Sequence, residues 1–332
     1  MMKLKNGING VLVLSILLFT NSCSKIEPKI HKLEGNVFGT SFHITYMDYN
    51  NSLYTVQIDS LFKALNRSLS TYDLNSDISK FNNSDDTIEV DDSFQEVFLK
   101  AQKIYTETDG VFDPTIGILV NAWGFGPGKK FRLLTSEKIK ELLAFVGYHN
   151  VSMKDGRVSK SAKSVYLDYN AIAKGYGVDV ISRFLENNGV SNYMVEIGGE
   201  VRVRGKNEQD KFWRIGIEKP NFNGTRSLEE VVELKNESMA TSGNYRKYRI
   251  DSITGERYVH TIDTKTGYSA KRDLLSASVI SSSDCADVDG YATAFMAMGF
   301  IATKEFLRTH KELKVFLIYI NDSDETKTYS NF

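Results

Sequence analysis

The chain has 332 residues, 41% of them apolar and 25% charged, which is enough for a large core in one or two domains and ordinary for a globular protein. A formal net charge of −1 gives no pull toward nucleic acid or another general polyanion. Cys23 and Cys285 are the only cysteines, which leaves no disulfide framework and too few thiolates for a structural zinc site.

In chain order, Lys3 and Lys5 precede an apolar run over residues 11–19, too short to span a bilayer as a helix. Small residues then lead to Cys23. The pattern reads as a secretory signal, and a Cys directly after it resembles a bacterial lipoprotein cleavage site. The expected organisation is a signal peptide over 1–22, a tether over 23–36 anchored by lipid on Cys23, a single domain over 37–322 and a tail over 323–332. An ordinary signal peptide with an incidental Cys is the alternative. Lipidation would hold the protein at a membrane, facing the periplasm or cell exterior.

Alternation predicts a first strand over 37–47, and apolar spacing predicts a helix over 56–69 followed by a polar loop over 70–82. A second helix is predicted over 93–108, ended by Asp109-Gly110. The Gly- and aromatic-rich stretch 110–130 is not expected to be regular throughout. Helices are predicted over 136–146, 171–187, 291–298 and 303–309. Short strands are predicted through 165–167, and further strands over 193–197, 201–204, 213–217, 231–234, 258–262, 276–280 and 313–320. The mixed order predicts an α+β (mixed α/β) fold with no internal repeat.

The densest chemistry is SDCADVDGYATAFMAMG, residues 283–299. Asp289 and Thr293 are four apart, so on a helix they share one face and can offer a carboxylate and a hydroxyl to a hard cation such as Mg²⁺. A helix-capping carboxylate is the plainer reading of Asp289. An EF-hand register fails, because Gly290 at loop position six puts Cys285 first and Met296 twelfth. GFGPGKK (124–130) fails as a phosphate loop, with Trp123 where Gly is needed and Lys130 where Ser or Thr is needed. Neither HExxH nor Gly-x-Ser-x-Gly occurs.

Several segments in order carry a resemblance. They are Phe38-Gly39-Thr40; Ser70-Thr71-Tyr72 with Ser79-Lys80-Phe81-Asn82; Asp109-Gly110-x-Phe112-Asp113-Pro114-Thr115; and Asn121-x-Trp123-Gly124-Phe125-Gly126. Then come Leu167-Asp168-x-Asn170-Ala171-Ile172-Ala173-Lys174-Gly175-Tyr176, Glu196-Ile197-Gly198-Gly199-Glu200, His260-x-Ile262-Asp263-x-x-x-Gly267, and the acidic stretch. The set resembles the FAD:protein FMN transferases, the ApbE family, from about residue 37 to 299. The resemblance implies two closely packed subdomains around mixed sheets with an FAD cleft between them. It implies that FAD is the substrate, that FMN passes to a threonine hydroxyl of an acceptor protein, usually a membrane redox subunit, and that AMP leaves. It also implies Mg²⁺ held by Asp289, Thr293 and the Ala171 carbonyl.

By the same resemblance Phe38, Tyr72, Ala122, Trp123, Gly124, Lys174, Gly177 and Thr266 would contact the nucleotide, with a plain core role open for Trp123. His260 is the candidate base, against a purely structural histidine. Asp263 would orient it, bind nucleotide or serve a turn. Asp284 and Asp287 are left as turn and capping residues. A Mg²⁺-dependent FAD pyrophosphatase and a non-catalytic flavin-binding lipoprotein are the competing functions.

Overall fold

The computed structural model describes residues 28–127, 132–221, 225–244, 248–250, 257–270 and 272–332. The signal segment, Cys23 and both GFGPGKK lysines lie outside the described residues.

The frame is an eight-stranded sheet ordered Lys29–Val37, Thr40–Asp48, Asn192–Ile197, Glu200–Arg204, Ser238–Gly243, Leu274–Ser281, Lys314–Ile320 and Thr326–Ser330. The α+β expectation holds. The sheets are antiparallel in every described pairing rather than mixed, because successive strands are joined by hairpins or by helices that return the chain reversed.

The sheet is buried on both faces, and alternation along single strands shows it. Val279 and Leu317 face a core shared with the helices Thr55–Leu69, Asp92–Glu107, Ala173–Asn187 and Cys285–Met298. Their neighbours Ile280 and Ile318 face a smaller core closed by the hairpin Trp213–Glu218 and Leu228–Leu234. A third cluster joins Leu119, Trp123 and Phe125 to Ile139, Leu142 and Ile262.

Cys285–Met298 is buried on nearly every side, so it shows no amphipathic stripe. Small residues permit this. A Cβ on Gly175 would meet the Cys285 carbonyl oxygen at 2.4 Å, so the two helices cross where only glycine fits.

Differences from the sequence expectations have local causes. Residues 29–36, expected in the tether, are most of an edge strand: His31 stacks on Tyr46 and Leu33 turns toward the core, a pattern hidden among charged neighbours. The expected 37–47 strand is cut by a two-residue turn, Phe38 at φ 51° and Gly39 at φ 74°, which makes it a hairpin. The loop 70–82 ends in a helix, Asp77–Asn83, capped by the Ser76 hydroxyl, which accepts from Ser79 N at 3.1 Å. Strand Ser238–Gly243 (SMATSG) carries no strand signal but lies between two neighbours. Within the expected tail, Thr326–Ser330 pairs as a polar edge strand. Residues 165–167 are not strand, and the 258–262 strand is Arg257–Val259, ending before His260.

Candidate functional site

The sheet ends at a cleft of about 1490 Å³. Two hairpin turns form its floor, Phe38–Gly39 and Gly198–Gly199. The second is tied down by Glu196, whose Oε1 accepts from Gly199 N at 2.6 Å while Oε2 meets His43 Nδ1 at 2.6 Å. The loop before Ala173–Asn187 is clamped by Asn82, which donates to Leu167 O (2.9 Å) and accepts from Leu167 N (2.8 Å). Asp168 then accepts from Asn170 N at 2.8 Å, an Asx turn that delivers Ala171 to the cleft wall.

Asp289 and Thr293 reach the same wall from the Cys285–Met298 helix. Asp289 Oδ2 accepts from Gly175 N at 3.1 Å, the N–H that a regular helix would direct to Ala171 O. Among the described residues no backbone N–H is directed to the Ala171 carbonyl. Thr293 Oγ1 lies 3.2 Å from Ser242 Oγ. Lys174 Nζ sits 2.7 Å from Glu200 Oε1 and 3.9 Å from Asp289 Oδ1, and Glu200 Oε2 is buried with no partner. Burial pushes Glu200 and Asp289 above the usual carboxylate range, with Lys174 opposing it. Burial alone would lower the Lys174 ammonium, but Asp289 and Glu200 outweigh it and hold it above its ordinary value.

Of the residues singled out from sequence, the cleft brings together Phe38, Tyr72, Ala171, Lys174, His260, Asp289 and Thr293. It does not bring Ala122, Trp123, Gly124, Gly177 or Thr266 to its wall. Trp123 is a core residue: its Nε1 donates to Gly267 O at 2.9 Å and its ring stacks on Tyr258. Ala122 packs in the same cluster, and Gly124 (φ 83°) turns the chain so that Phe125 and Gly126 line the cleft instead. Gly177 supports from behind, since a Cβ there would meet the Phe38 ring at 2.9 Å. Thr266 sits in a turn built by Asp263, whose Oδ1 accepts from Lys265 N and Thr266 N, both at 2.9 Å. Asp263 Oδ2 also pairs with Arg272, so it serves the turn, and Thr264 lines the cleft in place of Thr266.

Four carboxylates in the quoted motifs had no role assigned from sequence, yet line the cleft: Asp113, Asp168, Glu196 and Glu200. Burial pushes Asp113 up to about 6, against Thr115 hydrogen bonds and the His149 charge that pull it down. An acidic residue inside an otherwise apolar or Gly-rich motif was the available signal. Asp284 and Asp287 point away from this site to Lys100, as ion-pair partners.

Asp289, Thr293 and the Ala171 carbonyl offer oxygen alone, the donor chemistry of a hard cation that leaves room for phosphate oxygens. Among the described residues no cluster of three His, Cys, Asp or Glu forms a protein-only metal cage. A roomy cleft that gathers such oxygens with a lysine and a histidine on an α+β frame has the build of an enzyme site. More narrowly, the chain belongs to the ApbE family, whose model matches residues 38–317.

A Haemophilus influenzae protein named FAD:protein FMN transferase is 36% identical, over 99% of this chain and 98% of its own length. A Vibrio cholerae protein of the same name is also 36% identical, covering 88% of each chain. Among solved structures, the flavin transferase ApbE from Vibrio cholerae superposes with a TM-score of 0.81 at 32% identity, covering 91% of this chain and 97% of that one. The apo flavinyl transferase ApbE from Pseudomonas stutzeri gives 0.81 at 29% identity, covering 92% and 95%.

Proposed function

We propose that this chain transfers FMN from FAD to a threonine hydroxyl of an acceptor protein and releases AMP. The observation that carries the reading is the convergence of Ala171, Asp289, Thr293, Lys174 and His260, from three separate segments, on one cleft. Family membership and the names of the relatives support the same reaction.

In the proposed step the threonine Oγ forms a bond to the FMN phosphorus. The bond from that phosphorus to the bridging diphosphate oxygen breaks, and the oxygen leaves with AMP. The threonine proton passes to His260, which lines the cleft. Lys174, held at the cleft by Glu200, supplies a positive charge for the phosphates. Tyr72 and Phe38 offer ring faces toward the flavin or adenine. Asp289, Thr293 and the Ala171 carbonyl would hold Mg²⁺, which when bound neutralises charge on the leaving group.

We place the enzyme outside the cytoplasm, anchored to a membrane by lipid on Cys23, on the strength of the basic start, the apolar run and the small residues before that cysteine.

The test is incubation of the protein with FAD, Mg²⁺ and a threonine-bearing acceptor domain. Fluorescent flavin on the acceptor together with free AMP is the expected result. FMN and AMP without labelled acceptor would make the protein a pyrophosphatase, and absence of turnover would make it a flavin carrier; either overturns the reading.

A further inference from the structure

The strand register gives the molecule two functional ends. Val37↔Thr40 and Ile197↔Glu200 place two turns on the cleft, while Lys29↔Asp48 and Tyr193↔Arg204 mark the far end of the same strands. Lys29–Val37 has nine residues. At about 3.4 Å per residue over its eight steps, the far end is therefore roughly 27 Å from the cleft floor.

That far end displays apolar side chains: Tyr49 is 58% exposed, Leu53 63% and Val56 75%, with Ile30 also exposed. The loop that presents them is pinned. Asp48 accepts from Asn50 N (3.0 Å) and Ser52 N (2.5 Å), Tyr46 OH donates to Ser52 O (2.8 Å), and Tyr54 N donates to Tyr46 OH (3.2 Å). The backbone is held inward while large apolar groups point out, an arrangement that suits a surface contact. Exposed Lys29 stands beside them, by its register with Asp48.

Cys23 precedes Lys29 by only Ser24, Lys25, Ile26, Glu27 and Pro28. Six residue steps span at most about 21 Å. A lipid on Cys23 therefore keeps this end within about 21 Å of the bilayer, less than its distance from the cleft floor.

We infer that the Tyr49–Leu53–Val56 end docks on the lipid surface that carries the anchor. The apolar side chains enter the interfacial zone and Lys29 meets anionic headgroups. The cleft then opens away from the bilayer, and the acceptor presents its threonine some 27 Å or more above the membrane rather than flush with it. This inference rests on the lipid-anchored reading above.

The test uses the full chain, isolated from membranes and reconstituted into vesicles of phosphatidylcholine and phosphatidylglycerol. Nitroxide labels are placed by Leu53→Cys, by Val56→Cys, and by Leu74→Cys, which is 79% exposed beside the cleft residue Tyr72. The expected result is a ratio of oxygen to nickel-chelate collision rates several-fold higher at 53 and 56 than at 74. Equal ratios in protein that floats with the vesicles overturn the docking surface alone. Failure to float overturns the anchor and the docking together.

Discussion

The Cys285–Met298 helix is held by acidic residues at its start and again one turn further in, and the two clusters are built differently. At the start, Asp179 Oδ1 accepts from Cys285 N and Oδ2 from Ala286 N, both at 2.8 Å, and Arg202 lies 2.8 Å from Asp179 and from Asp284. Lys100 completes this cluster, 2.8 Å from Asp284 and 3.4 Å from Asp287. Further along, Asp289 and Glu200 are buried around one partly exposed ammonium, and one Glu200 oxygen has no partner. The first cluster is a completed helix cap. The second keeps desolvated carboxylates with one oxygen left unpaired, which is the electrostatic pattern of a candidate working site.

The largest expected effect comes from the unfinished cluster. Asp289→Asn should lower FMN transfer by about a thousandfold or more, close to 4 kcal/mol of transition-state stabilisation. It should leave the melting temperature unchanged or raised, since it removes one of two buried like charges. A variant that melts much earlier while retaining transfer would invert the comparison.

Next is the completed cluster. Asp179→Ala strips two helix-start N–H groups of their acceptor and takes a partner from Arg202, so stability should fall by about 3–5 kcal/mol. The urea midpoint should drop with an unchanged slope, and transfer per folded molecule should persist. Wild-type stability in this variant would show that the cap is not structural.

The contrast also explains what was legible in the sequence. Asp289 and Thr293 could be paired because helical spacing is local, and Ala171 and His260 came with ordered motifs. Asp179, which caps a helix 106 positions away, has no local signature, since its partners are backbone groups brought by the crossing at Gly175. The edge strands Lys29–Val37 and Thr326–Ser330 look like tether and tail in the sequence because one face meets water and their composition is polar. The other interior strands and long helices, set by apolar period, match the sequence reading to within a few residues, apart from Ser238–Gly243, whose small side chains carry no period, and Cys285–Met298, which begins six residues before the expected 291 and has no apolar stripe to mark its start.

A smaller effect is read by pH. Asp113 on the cleft and Asp179 at the cap are both raised to about 6, chiefly by burial. A carboxyl with a raised folded pKa binds more protons in the folded state, so its contribution to stability is full at low pH and is lost as pH rises through the folded value. The stability contributed by these two carboxyls should therefore fall between about pH 4 and pH 6. Asp113→Asn retains an oxygen acceptor for Thr115 and should flatten part of that fall, worth about 1–3 kcal/mol at pH 7. Denaturant titrations at several pH values check it. An unchanged slope would mean that Asp113 ionises without penalty.

The smallest effect concerns a residue that looked like ligand and is core. Trp123→Phe removes the N–H that meets Gly267 O and leaves a small void beside Tyr258, a loss of about 1–2 kcal/mol. The Michaelis constant for FAD should stay within about twofold, because the indole faces the third apolar cluster and not the cleft. Tyr72→Ala, 64% exposed on the cleft lip, should do the reverse: the Michaelis constant rises while the melting temperature holds. If Trp123→Phe instead raised that constant as Tyr72→Ala does, the third cluster would have to be counted as part of the nucleotide site.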